Sequence, residues 1–170
     1  MSSARERADA FASWAEHHRV FERDSGMLRD VYVRGPTLAD WKAMLELVLQ
    51  NYPAARLTRS LGDASVDVPI PDDLATLFEP FEQRAHLSVP LAELELVCYF
   101  FAAEEIELSF APEPATETSL RPLLAFLIEL GDALGREVLL TAENLPAAVY
   151  FRYEPAEQRL TWYPESYYMP

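Results

Sequence analysis

Carboxylates are the residues whose types and spacing could do chemistry in this chain. Glu93 and Glu95 are followed closely by Glu104, Glu105 and Glu107. Paired carboxylates can exchange protons with a substrate, hold a cation, or meet a basic partner. Acid–base work would require burial or like-charge crowding to raise a pKa, and neither is written in a sequence. The plainer reading is that these five residues form the solvated side of an amphipathic sheet.

Other chemistry finds little support. The sequence contains no G-x-S-x-G, glycine-rich phosphate loop, H-E-x-x-H or calcium loop. Its single cysteine, Cys98, alternates with apolar neighbours and reads as a buried, inert thiol. His17 and His18 adjoin, but adjacent helical residues point about 100° apart and cannot easily share one ion. His86, the third histidine, belongs to no motif with Cys98. The expectation is therefore a chain without catalytic residues, metal or cofactor. The aromatic residues Trp162, Tyr163, Tyr167 and Tyr168 near the C-terminus either pack on the sheet or form a contact surface.

The elements that would position these groups follow from periodicity. Leu94, Leu96, Cys98 and Phe100 alternate with Glu93, Glu95, Val97 and Tyr99, and Ile106, Leu108 and Phe110 alternate with Glu105, Glu107 and Ser109. Two such runs joined by a short break predict a β-hairpin with one apolar face. Leu120, Leu123, Leu124, Leu127, Leu130 and Leu134 then form one stripe of a helix, with Thr118 or Ser119 as its cap, Pro122 in the first turn and Gly135 at its end. Strands are expected at 137–141 and 149–153, the latter paired with 159–163.

The first half has the same order. A strand at 28–34 places Val31 and Val33 on one face and Tyr32 on the other. Thr37 and Asp40 form a capping box for a helix carrying Trp41, Met44, Leu45 and Val48, and strands at 56–60 and 65–68 flank Gly62-Asp63. A short helix follows at Leu74, Leu77, Phe78 and Phe81, and residues 4–23 read as an amphipathic helix ended by Asp24-Ser25-Gly26. The expected fold is thus one α+β domain over 1–170. It has a mainly antiparallel sheet of six or more strands, helices on one face, two tandem βαββ units (28–70 and 94–163) and an N-terminal helix within 1–25.

Charge narrows the function classes. The chain of 170 residues carries a formal net charge of −14. Residues 1–60 are near neutrality at +1, whereas residues 61–170 carry −15. Such a field opposes binding to nucleic acid and anionic lipid and favours a basic protein partner. No apolar run is long enough to span a bilayer, and residues 1–7 lack a signal-peptide core. Cytoplasm is the expected location, as a monomer or homodimer.

The stretches Arg29-Asp30-Val31-Tyr32-Val33 and Leu38-Ala39-Asp40-Trp41, with Gly135-Arg136-Glu137-Val138-Leu139-Leu140-Thr141-Ala142-Glu143-Asn144 and Phe151-Arg152-Tyr153, carry a resemblance. Over residues 28–154 the chain resembles small acidic bacterial proteins of unassigned activity, some of them thought to be immunity proteins against secreted toxins. The resemblance implies a cytoplasmic, non-enzymatic binding protein. Its motifs are structural and assign no functional residue.

Glu93, Glu95, Glu104, Glu105, Glu107, Trp162 and Tyr163 are the residues expected to meet a partner. The alternative from the same residues is a small-molecule or regulatory domain, with a pocket between helices and sheet. A toxin-like neighbouring gene favours the first reading and a metabolic operon the second.

Overall fold

The computed structural model describes residues 3–22, 28–61, 64–78, 85–113 and 115–168. In chain order these form α1 (Ala4–Phe11), α2 (Trp14–His17) running into a 3₁₀ turn (His18–Phe21), β1 (Arg29–Arg34), α3 (Leu38–Asn51), β2 (Arg56–Leu61) and β3 (Ala64–Asp67). After a second 3₁₀ turn (Leu74–Phe78) come β4 (Ala85–Leu91), β5 (Leu94–Cys98), β6 (Glu105–Phe110), α4 (Glu117–Leu134), β7 (Val138–Ala142), β8 (Leu145–Glu154) and β9 (Arg159–Tyr168). The fold is α+β, as expected from the sequence.

Among the described residues nine strands make one sheet in the order β3-β2-β4-β5-β6-β1-β7-β8-β9. Every neighbouring pair is antiparallel. The strand–helix–strand–strand order of both halves is present, but the halves interlock. β1 pairs with β6 and β7 instead of its own β2, with Val31 opposite Leu108 on one side and Leu140 on the other. Antiparallel alternation makes β1 parallel to β2 and β6 parallel to β7. Each of those connections therefore needs a crossover element, and α3 and α4 supply them.

One face of the sheet carries the helices. Val31, Val33, Leu57, Leu87, Leu96, Ile106, Leu108 and Leu140 share a single apolar core with Trp41, Met44 and Leu45 of α3 and with Leu123, Leu124 and Leu127 of α4. Trp41 is fully buried against Phe78 and Phe100, and its indole N–H donates to the Ala103 carbonyl at 2.8 Å. The Thr37–Asp40 capping box starts α3, and the Asp40 carboxylate also pairs with Arg136 at 2.8 Å. α3 is thereby tied to the end of α4.

Three expectations are corrected. Residues 4–21 are not one helix: the chain leaves α1 at Ala12, which has extended ψ of 111°, and restarts after Ser13. The break lets His17 turn inward between Phe11, Phe151 and Trp162, where it is 3 % exposed. Burial lowers its pKa, so the neutral ring is favoured there. The stop at Asp24-Ser25-Gly26, the turn at Gly62-Asp63, and Phe81 lie outside the described residues. Second, α4 is capped by Thr116, ahead of the expected Thr118 or Ser119, because the Thr116 hydroxyl accepts from Thr118 N and Ser119 answers as its capping-box partner. Pro122 consequently falls in the second turn. Third, the hairpin expected at 94–110 is extended by a further strand: β4 precedes the expected β5 and turns into it through Ala92, at φ 54°.

α4 approaches the sheet most closely at Gly131. A Cβ there would lie 2.5 Å from Cδ1 of Tyr153. That ring cannot easily yield, because its hydroxyl donates to Asp132 at 2.5 Å and accepts from Arg7 at 2.8 Å. Alanine is intrinsically better than glycine in a helix by about 1 kcal/mol. Gly131→Ala should nevertheless lower the melting temperature, because overpacking typically costs about 1–3 kcal/mol. A higher melting temperature in thermal unfolding would contradict this.

Candidate functional site

Among the described residues the other face of the sheet carries no helix. Alternation along the strands sends Asp30 and Tyr32 of β1, Glu105, Glu107 and Ser109 of β6, Leu139 and Thr141 of β7 and Val149 of β8 towards it. The ladder brings them together: Asp30 stands between Ser109 and Thr141, and Tyr32 between Glu107 and Leu139. Tyr32, Leu139 and Val149 form a small apolar cluster separate from the main core, with Tyr163 packed against it.

Asp30 is the unusual member. It is 1 % exposed, and Tyr32, Leu139, Thr141 and Val149 around it on this face are likewise buried. Its Oδ2 accepts from the Asn144 backbone N–H at 2.7 Å. Asn144 reaches it from the β7–β8 turn, where its φ is 53°. The buried Oδ1 has no partner in hydrogen-bonding geometry. Burial raises the pKa of the carboxyl; the nearby Ser109 and Tyr32 hydroxyls and the Asn144 N–H oppose the rise, and the charge of Glu143 adds to it.

Glu107 shares this environment. Partly buried, its carboxyl is raised first by burial and then by the charge of Asp30, with a smaller push from Glu105. Ser109 donates to it at 3.4 Å, a long contact. The Tyr32 hydroxyl is held protonated by burial and by the surrounding charges of Asp30, Glu107 and Glu105. Among the described residues Asp30, Glu105 and Glu107 form no ion pair. By contrast, Arg152 and Arg159 further along the sheet are held by Glu137, Glu154 and Glu157.

Beside the acidic group lies an aromatic one. Val97 of β5 pairs with Ser109, which brings the residues after Cys98 towards the level of Glu107. Tyr99 and Phe101 follow there, 44 % and 60 % exposed, with ring centroids 5.8 Å apart. His86 of β4 stands 6.1 Å from Tyr99 and hydrogen-bonds Thr58.

The seven residues expected to meet a partner do not form one group. Glu95, Glu105, Glu107 and Tyr163 share the helix-free face, and Glu104 lies exposed in the turn before β6. Glu93 sits in the β4–β5 turn, where its carboxylate accepts from Thr118 at 2.6 Å and Ser119 at 2.5 Å. Those two hydroxyls lower its pKa, and its position ties the turn to the start of α4. Trp162 lies on the helix side, against His17, Phe151 and Tyr150. Sequence reasoning missed Asp30, Tyr32, Ser109 and Thr141 as a group. The available signal was a carboxylate two residues from Tyr32 on the polar side of a strand otherwise rich in valine.

Among the described residues no group of three or more His, Cys, Asp and Glu has the arrangement to hold a metal ion. Cys98 is fully buried, and desolvation pushes its thiol up to about 12. No helix is long and apolar enough to cross a membrane. A cleft of about 360 Å³ lies on the outer side of the helices, lined by Arg5, Asp9, Tyr52, Arg121 and Glu129 among others. Another, of about 310 Å³, opens between Arg34, Arg136 and Glu137. Neither lies between helices and sheet. Comparison with protein-family models, curated proteins and solved structures finds no match for the chain.

The raised carboxyl of Asp30 sets the sign of a pH effect. The stability linked to its proton is fully present below the ordinary aspartate range and is lost as pH rises through the raised value. Ionising Asp30 in the folded protein therefore costs stability that its acid form does not. Asp30→Asn keeps an acceptor for Asn144 and removes the charge. The variant should gain thermal stability over the wild type at pH 7.5, and the gain should shrink towards pH 3.5. Melting curves across that range check it; a variant less stable at pH 7.5 would show that the carboxylate is satisfied in the fold.

Proposed function

We propose that this chain is a non-enzymatic binding protein, an immunity or antitoxin-like inhibitor, which covers a basic protein partner with the helix-free face of its sheet. The observation that carries this reading is the set of carboxylates Asp30, Glu105 and Glu107 on that face, without an ion pair among the described residues. A buried charge without a counter-charge costs stability, and a cationic partner relieves that cost on binding. Exposed Tyr99 and Phe101 beside them supply apolar area of the kind that carries binding energy. The −15 of residues 61–170 steers a cationic surface towards the protein. This reading moves the contact surface from the seven residues first expected to the part of the group on the helix-free face, with Glu95, Glu105, Glu107 and Tyr163 retained. It places the action in the cytoplasm.

The small-molecule reading has weaker support, since the space between helices and sheet is filled by the shared core.

The test is capture from the native host with the wild-type chain and with a Glu105→Lys, Glu107→Lys chain. A basic protein that binds the first, releases as salt rises and binds the second at least about tenfold more weakly supports the reading. Rim charges should act mainly on the association rate. Binding that ignores both salt and the two reversals would leave the acidic face as solubilising surface only.

A further inference from the structure

We infer that Asp30, Tyr32, Glu107 and Ser109 form a receptor for one arginine side chain of the basic protein partner. The inference rests on the docking reading above and names the group that enters the site.

Two independent observations point to a ligand. The first is Asp30 itself: a carboxylate 1 % exposed whose Oδ1 has no hydrogen-bond partner, at the centre of a nine-stranded sheet. Buried polar groups in folded proteins are almost always satisfied, so an orphaned charged oxygen calls for an explanation. The second is Glu107, partly buried and cross-strand from Tyr32, one alternation step from the Asp30–Ser109 pair, where burial and then the charge of Asp30 raise its carboxyl. Neither carboxylate has an ion pair among the described residues, and Arg34, opposite Glu105 on the same face, donates to the Pro146 carbonyl at 2.9 Å.

The chemistry selects the occupant. A divalent ion would need at least a third strong ligand, and no such group exists among the described residues. An ammonium group is a compact, strongly hydrated charge with three donors. A guanidinium is planar, stays charged, presents five donors and can bridge two carboxylates at different depths. It also stacks on an aromatic face, and Tyr99, 44 % exposed, is the accessible ring beside the acidic group. Its path in is past Glu107, whose side chain must rotate and give up the long contact from Ser109.

The test is a nuclear magnetic resonance titration of the full chain with N-acetyl-argininamide, N-acetyl-lysinamide and calcium chloride, each added to the wild type, Asp30→Asn and Glu107→Gln. Saturable shifts at the amides of Asp30, Tyr32, Glu107 and Ser109 are expected with the arginine probe. Affinity should be at least about tenfold lower for the lysine probe and for either variant, since each loses part of a bidentate, charge-assisted contact. Asp30→Asn is expected to fold, and Glu107→Gln changes a partly exposed residue, so loss of binding is not loss of fold. Shifts spread over the acidic surface without saturation would overturn the inference. So would saturation of the same amides by calcium, equal affinity for the lysine probe, or a variant that binds as the wild type does. A captured partner that needs Glu105 and Glu107 but is indifferent to Asp30→Asn would remove the receptor and leave the docking face. Saturable arginine binding beside a partner indifferent to the Glu105 and Glu107 reversals would do the opposite.

Discussion

The insertion of β1 between β6 and β7 is the constraint on which the rest of this structure depends. One strand of six residues is hydrogen-bonded on both sides to strands from the other half of the chain. Neither βαββ unit closes a sheet alone. The first sends α3 across β6, β5 and β4 to reach β2, and the second sends α4 across β1 to reach β7. Because both crossovers lie on one side, their apolar stripes meet in one core instead of two, and α1 can then pack on α4 through Arg7, Asp9 and the aromatic ring of Tyr153.

The same insertion creates an unequal pair of faces. On the helix side, alternation places Val31 and Val33 against leucines and aromatic rings, where burial is favourable at roughly 25 cal/mol per Å². On the opposite side it places Asp30 and Tyr32 against Ser109, Glu107 and Thr141. Ladder pairing leaves no choice in this, since a strand turned to bury Asp30 under the helices would expose both valines. Asp30 is therefore held where its charge is costly by contacts that stabilise the other side of its own strand. A site that is poorly satisfied in the free protein is the physical starting point for the binding role proposed for this face.

The N-terminal segment shows how a local break can serve the whole. Had residues 4–21 stayed helical, His17 would have pointed away from the stripe formed by Ala8 and Phe11. The break at Ala12-Ser13 swings it into an aromatic enclosure with Phe151 and Trp162, so α2 docks against β9. Trp162, for which the sequence allowed either packing on the sheet or a contact surface, is packed there.

Much of this protein was determined by sequence alone: the α+β class, the Thr37 cap of α3, the leucine stripe of α4 with Gly135 in the left-handed region at φ 61°, and the alternation that sorted each strand's residues onto two sides. These are local matters, settled by side chains a few residues apart. Tertiary structure alone decided which strands are neighbours, because the β1–β6 ladder joins residues 71 to 81 positions apart, from Arg34 and Glu105 to Arg29 and Phe110, on which local periodicity is silent. That choice separated Glu93 from Glu107, gave one to the start of α4 and the other to the helix-free face, and set Asp30 beside it. It also turned an ordinary polar position of a strand into a buried charge.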